Sequence, residues 1–535
     1  MKRIIFFTSL LFCSSTHAML KKQSWVSFPL SIQTQAVRQS VIDENHNHEL
    51  IVSLKTVCRT FRNILNNSCV ENINIPTMTQ REFELFLRAP QTMHDRVLSI
   101  TGDSLLDDYM LNYLITLCPN VQTLDLFRCK NLNSAGLQNI SRLGKHLINL
   151  TLPESCLLIN IDHLNAIINA CPQVEHLAWY YLQPGILTPP NIDHLEHLIH
   201  ISMHANQNID ETTIKTLAQS CPHIQSVNIT TQNQNSSIPS IKKNASIVHA
   251  LALIPNLKHM ALSSNCLSNP HVLSHLLKTH SRLNSLELHN QGPVNPPNSL
   301  IHIANLYNLS QIHLEGLRID DEFMNAITLH CPLNSITLKN CIGTTPHTFA
   351  AIMHCGQRLT SLALCGFDTM IYAYHLLPHI MGSCSRIRTL ELGAHTDPQQ
   401  DAAALCILYL GAHLKNLHIY LHNTPEAQIL VQELANHCPN IENLHIRGDL
   451  GISKQTFERM TELKKLTHIN LSHCPALDRA MARHIIAQLP KLVSFSALVF
   501  WPPLKKHFFQ HDFIDRISVY AISFPHIDIS TRREI

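Results

Sequence analysis

The segment "HLEHLIH" sets His194, His197 and His200 three residues apart, and imidazoles at such spacing are candidate metal ligands. Cys118 and Cys129, in "LCPNVQTLDLFRCKNLNSAGL", raise a second question: they could be metal ligands, halves of disulfides or buried thiols. Hydrolytic and phosphate chemistry have recognisable frames, such as G-x-S-x-G, H-E-x-x-H and the glycine-rich phosphate loop. None of these occurs in the 535 residues, nor do paired carboxylates in a catalytic frame. The chemistry open to the histidines and cysteines therefore depends on the elements that carry them.

Those elements repeat. The phrase apolar-x-x-apolar-x-apolar recurs as "VQTLDL" (from Val121), "LTSLAL" (from Leu359), "IENLHI" (from Ile441) and many more. Marking its fourth position gives seventeen markers, beginning Ile73, Leu98, Leu124 and Leu150 and ending at Phe495. Fifteen of their sixteen intervals span 24 to 28 residues and one spans 33. The apolar-x-apolar centre has the two-residue period of a strand with one face buried. Between these centres lie helical stretches such as "DETTIKTLAQS", "TPEAQILVQELANH" and "SKQTFERMTEL". In the second of them Thr424 reads as an N-cap and Pro425 as the first helical residue. A strand and a helix in about 26 residues cannot bury a core alone, so neighbouring units must stack. The predicted fold class is α/β: a leucine-rich-repeat solenoid (horseshoe) of about 17 repeats of ~26 residues, strands lining the inside of the curve. The long interval contains "TTQNQNSSIPSIKKN" (Thr230 to Asn244), which reads as a projecting loop.

In this frame Cys118, Cys171, Cys221, Cys331, Cys384 and Cys438 take nearly one repeat position, just ahead of the strand. Cys129, Cys341 and Cys474 follow the strand. Close ligand pairs of the C-x-x-C kind are missing, so no metal is predicted, and "HLEHLIH" runs into a strand where alternate side chains diverge. Aligned cysteines fall mostly in alternate repeats, roughly 10 Å apart and beyond disulfide reach. Cys331, Cys355 and Cys384, in consecutive repeats, are the place where a disulfide stays open. An odd total of seventeen cysteines suits a reducing compartment and buried packing.

The stretch "CPNVQTLDLFRCKNLNSAGLQNIS" resembles the cysteine-containing subclass of leucine-rich repeats, which is similar to the repeats of F-box substrate receptors of ubiquitin ligases. Ahead of the repeats, "LIVSLKTVCRTFRNIL" (from Leu50) resembles the second half of an F-box, with Leu50, Leu54, Val57, Cys58 and Phe61. Phe28-Pro29 with Ile32 resembles its start, although the usual acidic residue after the proline is absent and "VIDENHNHEL" replaces a short link. The resemblance implies a non-enzymatic receptor that binds a Skp-type adaptor and recruits an unknown substrate protein to a cullin ubiquitin ligase. Independently of the family, Leu50, Leu54, Val57, Phe61 and Leu65 share one helical face, which would serve equally as a cap on the first repeat.

The remaining organisation follows from composition. Residues 1–18, "MKRIIFFTSLLFCSSTHA", read as a signal peptide: a basic start, an apolar run too short to span a bilayer and a small-residue cleavage site. Residues 24–66 form the F-box-like segment, 67–499 the solenoid and 500–535, aromatic and basic, a capping segment. With a net charge of +2 and 15% charged residues, no nucleic-acid partner is predicted. A membrane span in the mature chain, a cofactor and an oligomer outside the complex are not predicted either. Export followed by action in a host cytosol, as an effector-like protein of an intracellular bacterium, reconciles signal peptide and F-box. The alternative is a periplasmic or surface scaffold with no ubiquitin link. On the concave face, Asp125, Tyr180, His204, Glu287, His313, Glu315, His418, Tyr420, His445 and Arg447 are the candidate partner-binding residues, on a mostly neutral, histidine-bearing surface. The other possibility is a solvated face with its contacts on loops or rim.

Overall fold

A computed structural model describes most residues between positions 72 and 498; stretches such as 180–193 and 232–248 lie outside the described residues. The chain divides into two units, Met1–Ser68 and Cys69–Ile535. The stretches read from the sequence as a signal peptide (1–18), an F-box-like segment (24–66) and a capping segment (500–535) fall outside the described residues.

Among the described residues seventeen strands form one sheet. They run from β1 (Asn72–Asn74) and β2 (Ser99–Thr101) to β16 (His468–Ser472) and β17 (Ser494–Leu498). Each pairs with the next in the chain, always parallel. The fold is therefore the α/β leucine-rich-repeat solenoid. Burial alternates along the strands, as in Ser335–Lys339, where Ile336 and Leu338 point inward and their neighbours do not. The inward residues of adjacent strands meet in register: Leu286, Ile312, Ile336 and Leu362 form one such row, each at most 2% exposed. A second ladder runs just ahead of the strands, for example from Asn334 N to Ser310 O (2.8 Å) and from Thr360 N to Asn334 O (2.8 Å). It carries the hydrogen bonding of the backbone one step beyond the strands and satisfies amides that stacking would otherwise bury unpaired.

Two details correct the sequence reading. Ile100, not Leu98, is the inward residue of β2, since Ile73 pairs with Ile100 and Ile100 with Leu124; Leu98 is only partly buried. "VLSIT" offers two apolar frames two residues apart, and only pairing with both neighbours selects one. Thr230 and Thr231, assigned to the projecting loop, are the end of β7 (Ser226–Thr231). The helices fall where expected: Glu211–Ser220, Pro425–His437 with Thr424 as N-cap, and Lys454–Met460 with Ser453 as N-cap.

The connections alternate. Helices of 10 to 14 residues follow every even-numbered strand, from Asp108–Leu117 after β2 to Arg479–Gln488 after β16. Several odd-numbered strands are followed instead by 3₁₀ stretches, at Gln138–His146, Asn298–Asn305, Ile352–Arg358 and Leu405–His413. This alternation explains the cysteines. Each aligned cysteine follows a long helix, and four of the six direct the thiol at a backbone carbonyl of the preceding 3₁₀ stretch: Cys171 at Ile140 (3.9 Å), Cys331 at Ile303 (3.6 Å), Cys384 at Ile352 (3.7 Å) and Cys438 at Ile407 (3.9 Å). At the same level, the 3₁₀ stretches before Cys171, Cys384 and Cys438 carry Gly144, Gly356 and Gly411, with φ of 53, 52 and 53°. That conformation favours glycine, and the backbone of each glycine hydrogen-bonds the cysteine of the following repeat.

The eleven described cysteines are free thiols, Cys331, Cys355 and Cys384 among them, and ten of them are buried. Burial pushes the thiols of Cys118, Cys129, Cys341 and Cys355 up to about 12 and those of Cys171, Cys331, Cys384 and Cys438 to about 11. At pH 7.5 these groups are protonated and shielded. Ellman's reagent is expected to leave them unmodified in the folded protein and to react with them promptly in denaturant, with peptide mapping locating the labels. Rapid labelling of these positions without denaturant would contradict the buried-thiol assignment.

His280 stands where six of the other seven long-helix repeats place cysteine, 4% exposed, and bonds Leu251 O through Nε2 at 3.0 Å. The ring must donate to that carbonyl. Burial lowers its pKa, with the carbonyl bond acting in the opposite sense, so the folded state holds it neutral. As pH falls below the ordinary histidine value of about 6.5, the unfolded chain takes up the proton first, and this part of the stability is progressively lost. His280→Cys is expected to be tolerated and to make urea stability less pH-dependent between about pH 7 and 5. An unchanged pH dependence would count against this role.

Candidate functional site

The outward strand residues form rows as regular as the buried ones. The central row runs from Asp125 through Thr151, Ala178, Ser202, Asn228, Ala261, Glu287, His313, Thr337, Ala363, Glu391, His418 and His445 to Asn470, each paired with the next. On one side lies a polar row whose side chains bond across repeats: Asn149 Nδ2 donates to Thr123 Oγ1 (2.8 Å) and Asn416 Nδ2 to Thr389 Oγ1 (2.9 Å), while His200 Nδ1 meets Ser226 Oγ at 2.6 Å. On the other side, His289, Glu315, Lys339 and Cys365 follow one another, as do Tyr420 and Arg447.

Charge gathers in two places on this face. The first spans β9 (Ser285–His289) and β10 (Gln311–Glu315), where Glu287 pairs with His313 and His289 with Glu315. His289 Nδ1 lies 2.8 Å from Glu315 Oε2, and its Nε2 lies 3.6 Å from Glu287 Oε2. The rings of His289 and His313 are 4.9 Å apart between centroids. The neighbouring carboxylate of Glu287, then that of Glu315, raises the pKa of His289 against the effect of burial. Burial and the neighbouring His289 lower that of His313. The pKa values of the two imidazoles are thus shifted in opposite directions.

The second cluster spans β11 (Ser335–Lys339) to β15 (Asn443–Arg447). Lys339 Nζ reaches Glu391 Oε1 at 3.3 Å across two strand spacings, over the small side chains of Ala363 and Cys365. Beside Glu391 stand His418 and His445, their rings edge to face at 4.9 Å, and Arg447 Nε donates to His445 Nε2 at 3.1 Å. Tyr420 packs edge to face on His422 at 5.4 Å. Burial lowers the pKa of His418, with Glu391 opposing it.

The structure thus brings together Glu287, His313 and Glu315 in one cluster and His418, Tyr420, His445 and Arg447 in another. Asp125 belongs to neither: its Oδ1 accepts from Phe127 N at 3.0 Å and ties down its own strand end. His204 lies in β6 (His200–Ala205) opposite Thr230, and Tyr180 falls outside the described residues. Phe28, Pro29, Ile32, Leu50, Leu54, Val57, Cys58 and Phe61 fall outside them too. The links within the clusters are His289, Lys339 and Glu391, which the repeat register places on the face but which were not among the nominated residues. Their signal was available as complementary charge on neighbouring repeats, Glu287 and Glu315 around His289 and Glu391 near Lys339. Among the described residues no helix is long and apolar enough to cross a membrane.

No protein-family model matches the chain. Among solved structures, it is similar to the leucine-rich repeat-containing protein LegL7 of Legionella pneumophila, at 15% identity over 63% of this chain and 97% of that one, with a TM-score of 0.33. It is also similar to a chain in the complex of Rad7 and Elc1 of yeast, at 14% identity over 89% of this chain and 93% of that one, with a TM-score of 0.36.

Proposed function

We propose that this chain is a non-enzymatic protein-interaction receptor, holding a protein partner on its sheet and recruiting a Skp-type adaptor through the F-box-like segment. In this role it presents the captured protein to a cullin ubiquitin ligase, as an exported, host-directed effector. The observation that carries the interaction reading is the in-register face of seventeen strands, with its charged, histidine- and aromatic-bearing stretch between β9 and β15. A surface of that length suits another macromolecule, and aromatic and arginine side chains such as Tyr420 and Arg447 are the usual anchors of such contacts. The buried free thiols support action in a reducing compartment.

The adaptor role rests on the resemblance of residues 24–66, and it is tested by co-precipitation of the full chain with a Skp-type adaptor. Binding is expected, and Pro29→Ala combined with Val57→Asp is expected to weaken it at least ~10-fold by burying a carboxylate in the apolar contact. Absence of binding, or binding indifferent to the double change, would remove the ligase role. Mostly oxidised cysteines in protein from its native source would favour the periplasmic scaffold instead.

A further inference from the structure

We propose that His289, His313 and Glu315 form a binding site for a divalent transition-metal ion, zinc being the best match, on the open face of the sheet. One nitrogen from each histidine and one carboxylate oxygen lie within 4.8 Å of one another. Two imidazoles and a carboxylate are a donor set that suits zinc, which takes nitrogen at about 2.0–2.1 Å and carboxylate oxygen at about 2.0–2.2 Å. Tetrahedral ligands at such bond lengths stand roughly 3.3 Å apart. The site brackets that figure: His289 Nδ1 to Glu315 Oε2 is 2.8 Å and His313 Nε2 to Glu315 Oε2 is 3.9 Å. Small rotations of three partly exposed side chains therefore close it around an ion, with no movement of the strands.

Two further observations point the same way. His313 Nε2 is a buried polar atom with no hydrogen-bond partner, a cost that a metal bond would remove. Glu287 stands behind the site, its Oε2 at 3.6 Å from His289 Nε2. With Nδ1 on the metal, Nε2–H faces that carboxylate, the outer arrangement that fixes the tautomer and orientation of metal-bound histidines. Strand register makes this quartet stable: Glu287 beside His313 and His289 beside Glu315 on adjacent parallel strands. His289, His313 and Glu315 keep 21, 26 and 39% of their side-chain surface exposed, so a fourth position faces solvent, open to water or to a donor from a bound protein. The proposal is independent of the ubiquitin reading.

The test is cobalt(II) and zinc(II) binding to the full chain. Cobalt(II) is expected to bind in one equivalent above the background of scattered histidines, with visible ligand-field bands of a low-coordinate nitrogen–oxygen site that zinc(II) abolishes. His313→Gln and Glu315→Gln should each weaken that equivalent at least ~10-fold, and Glu287→Gln should weaken it less while leaving the bands in place. His418→Gln, in the other cluster, should leave it unchanged. Unaltered circular dichroism identifies variants that fold, and the two ligand changes are independent of each other. Equal metal affinity in His313→Gln, Glu315→Gln and His418→Gln, or loss shared by all three, would mean surface histidines only and would overturn the site.

Discussion

Phe349→Ala is expected to destabilise the protein by roughly 3–5 kcal/mol, the usual range for truncating a fully buried aromatic ring. Phe349 is 0% exposed and ranks with Trp179 and Phe457 among the largest fully buried side chains. It sits in the short helix Pro346–Ala351, held at its start by a capping box between Thr345 and Thr348. The helix is also fixed to the preceding repeat, because the hydroxyls of Thr345 and Thr348 both donate to Asp321 Oδ1, at 2.7 and 2.5 Å. With the backbone anchored, the core cannot collapse into the space left by the ring, so the cavity term stays near its upper end. In a repeat array each unit contacts only its neighbours, so the loss should be regional. Hydrogen exchange should show faster opening around β10 to β12 (Ser361–Cys365) before distant repeats respond, with urea unfolding giving the magnitude. Exchange that rises evenly along the chain would contradict this local coupling.

Gly448→Ala is expected to cost roughly 3 kcal/mol or more, by strain rather than lost burial. Gly448 has φ of 117°, in the region that L side chains rarely adopt. A methyl group there would also collide with the backbone carbonyl of Leu421, whose own amide bonds Arg447 O at 2.8 Å. Backbone cannot rotate away as a side chain would. The strand end must therefore shift, and it carries Arg447 and, two residues earlier, His445. The same variant should thus lower stability and disturb the second cluster of the face. Urea unfolding measures the first effect, and the histidine Cε1–H resonances of His418 and His445 report the second. A variant of wild-type stability would show that the turn relaxes cheaply and would contradict the strain argument.

The strand at Ser335–Lys339 is readable from "SITLK", because alternate burial leaves a two-residue pattern in the sequence itself. The N-cap Thr424 is readable because a cap acts on amides two or three residues away. "VLSIT" was misread because both frames satisfy the local pattern. The free, buried state of Cys118 and Cys129 followed from repeat position, while the reason for cysteine in alternate repeats did not.

The period, the inward rows and the open face are written in the linear order of residues, because they arise from interactions within a few residues repeated many times. Tertiary structure decided which side chains from different repeats meet. Gly144 is 27 residues from the Cys171 it bonds, and His289 is 26 residues from Glu315. Stacking sets neighbouring strands about 4.8 Å apart and fixes register, so residues distant in the chain come within hydrogen-bond range. Lys339 meets Glu391 only because the two residues between them on the sheet, Ala363 and Cys365, are small. Reach of that kind depends on side-chain volume across the sheet, a direction in which the linear sequence has no coordinate.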